Sequence, residues 1–94
     1  MVRILGLALA FGLSLSAGTA EAQSTRCRVM DPTGTPLNLR DSPNGEIVGR
    51  IRNGKLVTRV RSGEDERGRP WAYVMDRETG APLGWVYREF IACF

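Results

Sequence analysis

The chain has 94 residues, 13 of them basic and 10 acidic, for a net charge of +3, and it contains two cysteines and no histidine. That length holds one small domain. The missing histidine excludes Ser/His and Cys/His nucleophilic arrangements and the usual zinc ligands, and two cysteines alone do not build a structural zinc site.

The N-terminus reads as an export signal. Arg3 supplies a positive start, residues 4–15 form an almost unbroken apolar run, and Ala20-Glu21-Ala22 has the small-x-small form of a cleavage site. The spacing predicts a signal peptide over residues 1–22, cleaved after Ala22, and a mature domain over residues 23–94. The apolar run is well short of the roughly 20 residues that span a bilayer, so the alternative of an uncleaved anchor is the weaker reading. Cys27 follows Ser24-Thr25-Arg26 rather than a small apolar box, which argues against lipidation. Losing Arg3 and Glu21 together leaves the mature charge at +3, and every mature basic residue except Lys55 is arginine. The expected location is periplasmic or secreted, with no nucleic acid partner and no stable membrane span after cleavage. Suitable anionic partners are envelope polymers or acidic proteins, and a monomer is expected.

Taken in order, residues 23–26 form a polar lead-in and residues 27–30 the first strand. Two prolines and a glycine in residues 31–36 forbid helix and predict a loop. Leu37 and Leu39 then alternate with Asn38 and Arg40, the period of a half-buried strand. Ser42-Pro43-Asn44-Gly45 predicts a turn with its left-handed residue at Gly45. Residues 46–51 alternate again with Ile47, Gly49 and Ile51 on one face, Gly49 leaving room for a close neighbour. Asn53-Gly54 predicts the next turn. Residues 55–61 form a strand whose phase stays open, since Leu56, Thr58 and Val60 face one way and Val57, Arg59 and Arg61 the other. Residues 62–70 read as an exposed charged loop. Its Glu64-Asp65-Glu66 run lacks the ligand spacing of a calcium loop and reads as a solvated tip. Residues 71–75 resume the strand pattern, residues 76–82 turn around Thr79-Gly80, and residues 83–87 pair back. Residues 88–91 form one helical turn that drops Phe90 or Ile91 onto the core. The result is an all-β fold, a small barrel of five or six short antiparallel strands.

A mature domain of this size builds only a marginal core, and export places Cys27 and Cys93 in an oxidising compartment. An intramolecular disulfide between them is expected, the alternatives being free thiols or a bridge to another chain.

Two sets of side chains remain as candidates for chemistry. Trp71, Tyr73, Trp85 and Tyr87 fall at i, i+2 positions on two neighbouring strands, so each pair projects from one face. Ala72, Val74, Gly84 and Val86 occupy the opposite phase as natural small core residues, so core packing and a half-exposed aromatic platform both remain open. Beside that platform, Asn38, Arg40 and Asp41 suit a peptide or glycan whose apolar parts stack and whose amides hydrogen-bond. Trp71 and Tyr73 are better placed to line a groove than Trp85. Paired carboxylates such as Asp41 with Glu46 or Glu89 read as surface charge, because so small a barrel has no deep cleft for a sugar chain. No catalytic residue, metal site or cofactor is expected.

Leu37-Asn38-Leu39-Arg40, the Pro43-Asn44-Gly45 turn, Ile47-Val48-Gly49, Asn53-Gly54, the strand from Trp71 to Val74, and Gly84-Trp85-Val86 together resemble the bacterial SH3 (SH3b) family over about residues 36–91. That resemblance implies an SH3-like barrel in an exported protein and a non-catalytic module that binds cell-wall peptidoglycan or its peptides. Arg59 departs from the pattern where the family has an apolar residue, implying a shifted, bulged or more open strand there. The alternative is an accessory or inhibitory protein that docks on one exported partner.

Overall fold

The computed structural model describes residues 25–94. The signal peptide expected over residues 1–22, with its cleavage site, lies outside the described residues. Seven strands form one antiparallel sheet: β1 (Arg26–Val29), β2 (Leu37–Arg40), β3 (Ile47–Ile51), β4 (Leu56–Glu64), β5 (Pro70–Asp76), β6 (Pro82–Tyr87) and β7 (Ile91–Cys93). Their order is β3-β2-β6-β5-β4-β1-β7, leaving β3 and β7 as edges. Among the described residues the only helical element is a 3-10 turn, Arg88–Phe90, and no helix is long and apolar enough to cross a membrane. The all-β reading holds, but with seven strands rather than five or six, in a sheet whose edges do not pair to close the expected barrel. The added strand is β7, whose three residues are too few to display a period; Ile91, expected in the helical turn, starts it and is buried.

The sheet has two chemically distinct faces. Inward-facing Leu37, Leu39, Ala72, Val74 and Val86 come from the alternations of β2, β5 and β6, and they join Val29, Ile51, Val57 and Ile91 in one core. Phe90, Leu83 and Cys93 pack against it from half-buried positions. This core is aliphatic and small, at roughly 1.5–3 kcal/mol per fully buried side chain of this kind.

The open phase of the fourth strand resolves in favour of Val57, which is fully buried. The register against β5 then slips between Arg59 and Arg61, leaving Val60 outside the ladder and 49% exposed. A bulge of this sort lets one strand serve both phases and bends it. Residues 56–58 of β4 pair with β1, while the strand continues along β5 as far as Glu64. Much of the segment read as a charged loop is therefore strand, and the connection to β5 is confined to residues 65–69. A second slip, between Leu39 and Arg40, accompanies the exposure of Val48 on the β3 edge.

Glycines and asparagines fix the first hairpin. The left-handed residue of the 42–45 turn is Asn44, with φ 58°, and not Gly45 as the sequence predicted. Gly45 is closely packed: a Cβ there would displace the Ser42 hydroxyl and the Asp41 carboxylate from their present positions. Its N–H donates to the Ser42 carbonyl at 2.8 Å, closing a turn with proline second and the left-handed residue third, the type II pattern. Opposite Gly49, Leu39 fills the room expected there, its Cδ1 3.5 Å from where a Cβ would lie. Asn53 ties two loops together, its Oδ1 accepting the Asp31 N–H while its Nδ2 donates to the Thr35 carbonyl at 3.1 Å.

Hairpin β2–β3 joins the remaining sheet through one pairing, Arg40 opposite Trp85. Gly84 permits that approach. Its φ is 147°, and a Cβ at this position would sit 3.0 Å from the Arg40 carbonyl oxygen. At the other end of the sheet, Cys27 of β1 stands directly opposite Cys93 of β7, and the two form the expected disulfide with an S–S distance of 2.02 Å.

Two stability measurements follow. The bridge spans 66 residues, for which chain entropy assigns about 4 kcal/mol; urea unfolding with and without reductant should differ by a large part of that amount, and coincident curves would show that the bridge is not a staple. Gly84→Ala should cost more than about 1 kcal/mol, since both its backbone angle and its neighbour oppose a methyl group, and an unchanged urea midpoint would contradict the close approach.

Candidate functional site

A groove of about 360 Å³ opens on the outer face of the sheet, beside the first hairpin. That is toward the small end of ligand sites and suits a few residues of an extended chain. Trp71 of β5, Tyr87 of β6 and Phe90 of the 3-10 turn form its floor. The three rings meet edge to face, with centroids 5.4 Å apart for Trp71 and Tyr87 and 5.1 Å for Tyr87 and Phe90. One wall is Pro36, Asn38 and Arg40 from β2 and the loop before it; Arg69 and Asn44 reach in from neighbouring turns. Asn38 and Arg40 are here because Leu37 and Leu39 point inward, which sends the alternate residues outward.

Trp71 is held with little freedom, being only 5% exposed although it lies outside the aliphatic core. Its Nε1 donates to Asp65 Oδ2 at 3.0 Å, and the Arg40 guanidinium lies 5.8 Å from its ring centroid. The ring is thus a fixed floor whose polar edge is already satisfied.

Asp65 is the residue that sequence reasoning placed wrongly. Its side chain is 1% exposed and is no solvated loop tip. Oδ1 accepts the backbone N–H groups of Arg67 at 2.9 Å and Arg69 at 3.0 Å, and Oδ2 accepts Arg69 Nε at 2.8 Å as well as the Trp71 indole. Burial opposes ionisation of this carboxyl. The hydrogen bonds from Trp71, from the Arg69 and Arg67 amides and from the Arg69 side chain outweigh it, lowering the pKa from 3.8 to about 2. A local signal existed in Asp65 and Gly68, whose spacing marks a tight turn: Gly68 has φ 77° and donates its N–H to the Asp65 carbonyl at 2.9 Å.

The structure divides the residues expected to bind ligand. Asn38, Arg40, Trp71 and Tyr87 come together on the groove, joined by Arg69 and Phe90, which the sequence did not single out for binding. Tyr73 and Trp85 form a separate edge-to-face pair 5.6 Å apart, and Arg61 of β4 lies over both rings at 5.0 and 5.5 Å. Trp85 also packs on Gly63, where a Cβ would meet its ring at 2.9 Å. Asp41 lies off the groove and shapes the β2–β3 turn, accepting the Glu46 N–H at 3.0 Å and the Ser42 hydroxyl at 3.2 Å. Among the described residues no three His, Cys, Asp or Glu side chains gather as metal ligands.

The Asp65 network makes stability depend on pH in acid. Its folded pKa, about 2, lies below the ordinary 3.8, so the ionised carboxylate stabilises the fold above the ordinary value. That contribution disappears as pH falls through the window from about 4 to about 2. Asp76 acts in the same direction, its pKa lowered by the Lys55 hydrogen bond and the Glu78 amide against a smaller opposing effect of burial. Asp65→Asn should reduce stability at neutral pH and flatten the acid slope of the urea midpoint followed by tryptophan fluorescence; a slope equal to that of the parent would assign the acid sensitivity to other carboxylates.

Compared with known proteins, the chain matches no family model, no curated protein and no solved structure.

Proposed function

We propose that this chain is an exported, non-catalytic binding module of the SH3-like kind, which holds a short peptide or glycan of the cell wall in the groove beside β2. The ordered motifs over residues 36–91 support the family reading. So does a small antiparallel sheet that bends at the bulge in β4 and ends in a 3-10 turn and a last short strand. The observation that carries the functional reading is the meeting of a preformed aromatic floor, Trp71 and Tyr87, with the polar side chains Asn38 and Arg40 on one wall. Rigid rings lose little entropy on binding, and a polar wall beside them gives a ligand its orientation.

The alternative, docking on a single exported protein, draws support from Ile47 and Val48, two adjacent apolar residues exposed on the edge strand β3. Cross-linking in living cells that returned one protein partner through β3 would favour it.

Co-sedimentation with purified peptidoglycan tests the leading proposal. Tyr87→Ala should weaken pelleting by more than about 1 kcal/mol, roughly fivefold, while circular dichroism and the disulfide stay intact. Tyr87 is the better probe than Trp71, whose removal would also strip Asp65 of a donor. Pelleting no greater than that of a control protein would overturn the wall-binding reading.

A further inference from the structure

We infer that the groove selects peptides carrying a free carboxylate, and that Arg40 receives it, with the Asn38 amide as a second donor. This rests on the reading of the groove as a peptide site and names the ligand chemistry that the reading leaves open.

The two arginines of the groove are in different situations. Arg69 already has a counter-ion, its Nε 2.8 Å from Asp65 Oδ2. Arg40 spends Nη1 on the neutral carbonyl of Gly45 at 2.7 Å and has no carboxylate partner among the described residues. A guanidinium carries five N–H donors in a planar fork. With one corner pinned by Gly45 and the plane lying over Trp71, the remaining donors are held in place without an acceptor of full charge. A carboxylate meets such a fork with two parallel hydrogen bonds, and an already ordered arginine gives up less entropy in forming them.

Asn38 reinforces the preference. It lies two residues before Arg40 on the same outward phase of β2, and its Oδ1 accepts Arg50 Nε at 3.2 Å. That bond commits the acceptor end of the amide and leaves the NH2 group as the end offered to a ligand. Of the acidic residues nearby, Asp31 lines the same groove and keeps its charge there, with Oδ1 accepting the Thr33 N–H and hydroxyl, whereas Asp65 lies covered by Arg69 and Trp71. Below the donors is the ring floor of Trp71, Tyr87 and Phe90. The matching ligand is an acidic residue flanked by an apolar group; an uncharged glycan would leave the Arg40 fork unmatched.

The test uses the oxidised protein and two synthetic muramyl tripeptides, one with free carboxylates and one with every carboxylate amidated, titrated by tryptophan fluorescence or amide chemical shifts. The acid form should bind about tenfold more tightly, the range of a charge-assisted hydrogen bond. Arg40→Gln should bring the acid form down to the affinity of the amide, and Arg40→Lys, which keeps the charge and loses the fork, should fall between. Near-ultraviolet circular dichroism checks that both variants fold. Equal binding of the two peptides by the parent protein overturns the carboxylate inference and leaves the groove as a wall-binding site. A preference that survives in Arg40→Gln overturns the assignment to Arg40. Inorganic phosphate competing as strongly as the acidic peptide overturns peptide selection. Peptidoglycan pelleting without binding of either peptide assigns the site to glycan and also overturns it, whereas failure of both assays overturns the wall-binding reading itself.

Discussion

The groove depends on one buried carboxylate. Asp65 links the Trp71 indole, the Arg69 side chain and two backbone amides of the 65–69 turn, so the floor of the site and its far rim are fixed by the same group. A carboxylate out of water is costly unless its oxygens are met by donors. Here four N–H groups meet them, and the charge is retained. Asp31 and Asp76 use the same local device, accepting the N–H two residues ahead with distances of 2.8 Å in both loops. Of the three, Asp65 is the one that is sealed, because the chain re-enters the sheet at Pro70 and the next residue, Trp71, lays its indole against it.

The sheet divides into an aliphatic inner face that packs the core and an aromatic outer face that carries the groove. Valine, leucine and isoleucine pack the interior, where the rings of Trp71, Tyr73, Trp85 and Tyr87 take no part. That leaves a core of modest volume, and the link between Cys27 and Cys93 joins the two strands at one end of the sheet. On the outer face the rings sort into two edge-to-face pairs, each with a different arginine beside it. Arg40 lies over Trp71 at the open groove, and Arg61 lies across Tyr73 and Trp85 and covers them.

Features written in side-chain alternation were legible in the sequence. Leu37 and Leu39 are buried, Ala72, Val74 and Val86 face the core, and the aromatics share the other face, all as period 2 requires. Features made by one inserted residue or by a side chain bonding to backbone were not. A bulge at Val60 inverts the phase of everything after it, so both phases of residues 55–61 look equally plausible beforehand. The left-handed position falls on Asn44 and not on Gly45 because the turn starts at Ser42, which makes Asn44 its third residue, and alternation does not encode where a turn starts. Asp65 looks like its charged neighbours until Trp71 folds over it. Part of the candidate site was visible for the same reason: Asn38, Arg40, Trp71 and Tyr87 follow from strand phase, whereas Arg69 and Phe90 arrive from a turn and a 3-10 segment whose directions alternation does not encode.

The hairpin that carries Asn38 and Arg40 pairs with the rest of the sheet at one register position, where Gly84 lies close to the Arg40 carbonyl. That contact works as a spacer gauge. A single additional carbon at residue 84 would press on the Arg40 carbonyl oxygen at 3.0 Å, so the hairpin would have to give by a few tenths of an ångström. The seating of the hairpin against β6 therefore depends on an atom that glycine lacks, at a position outside the lining of the groove.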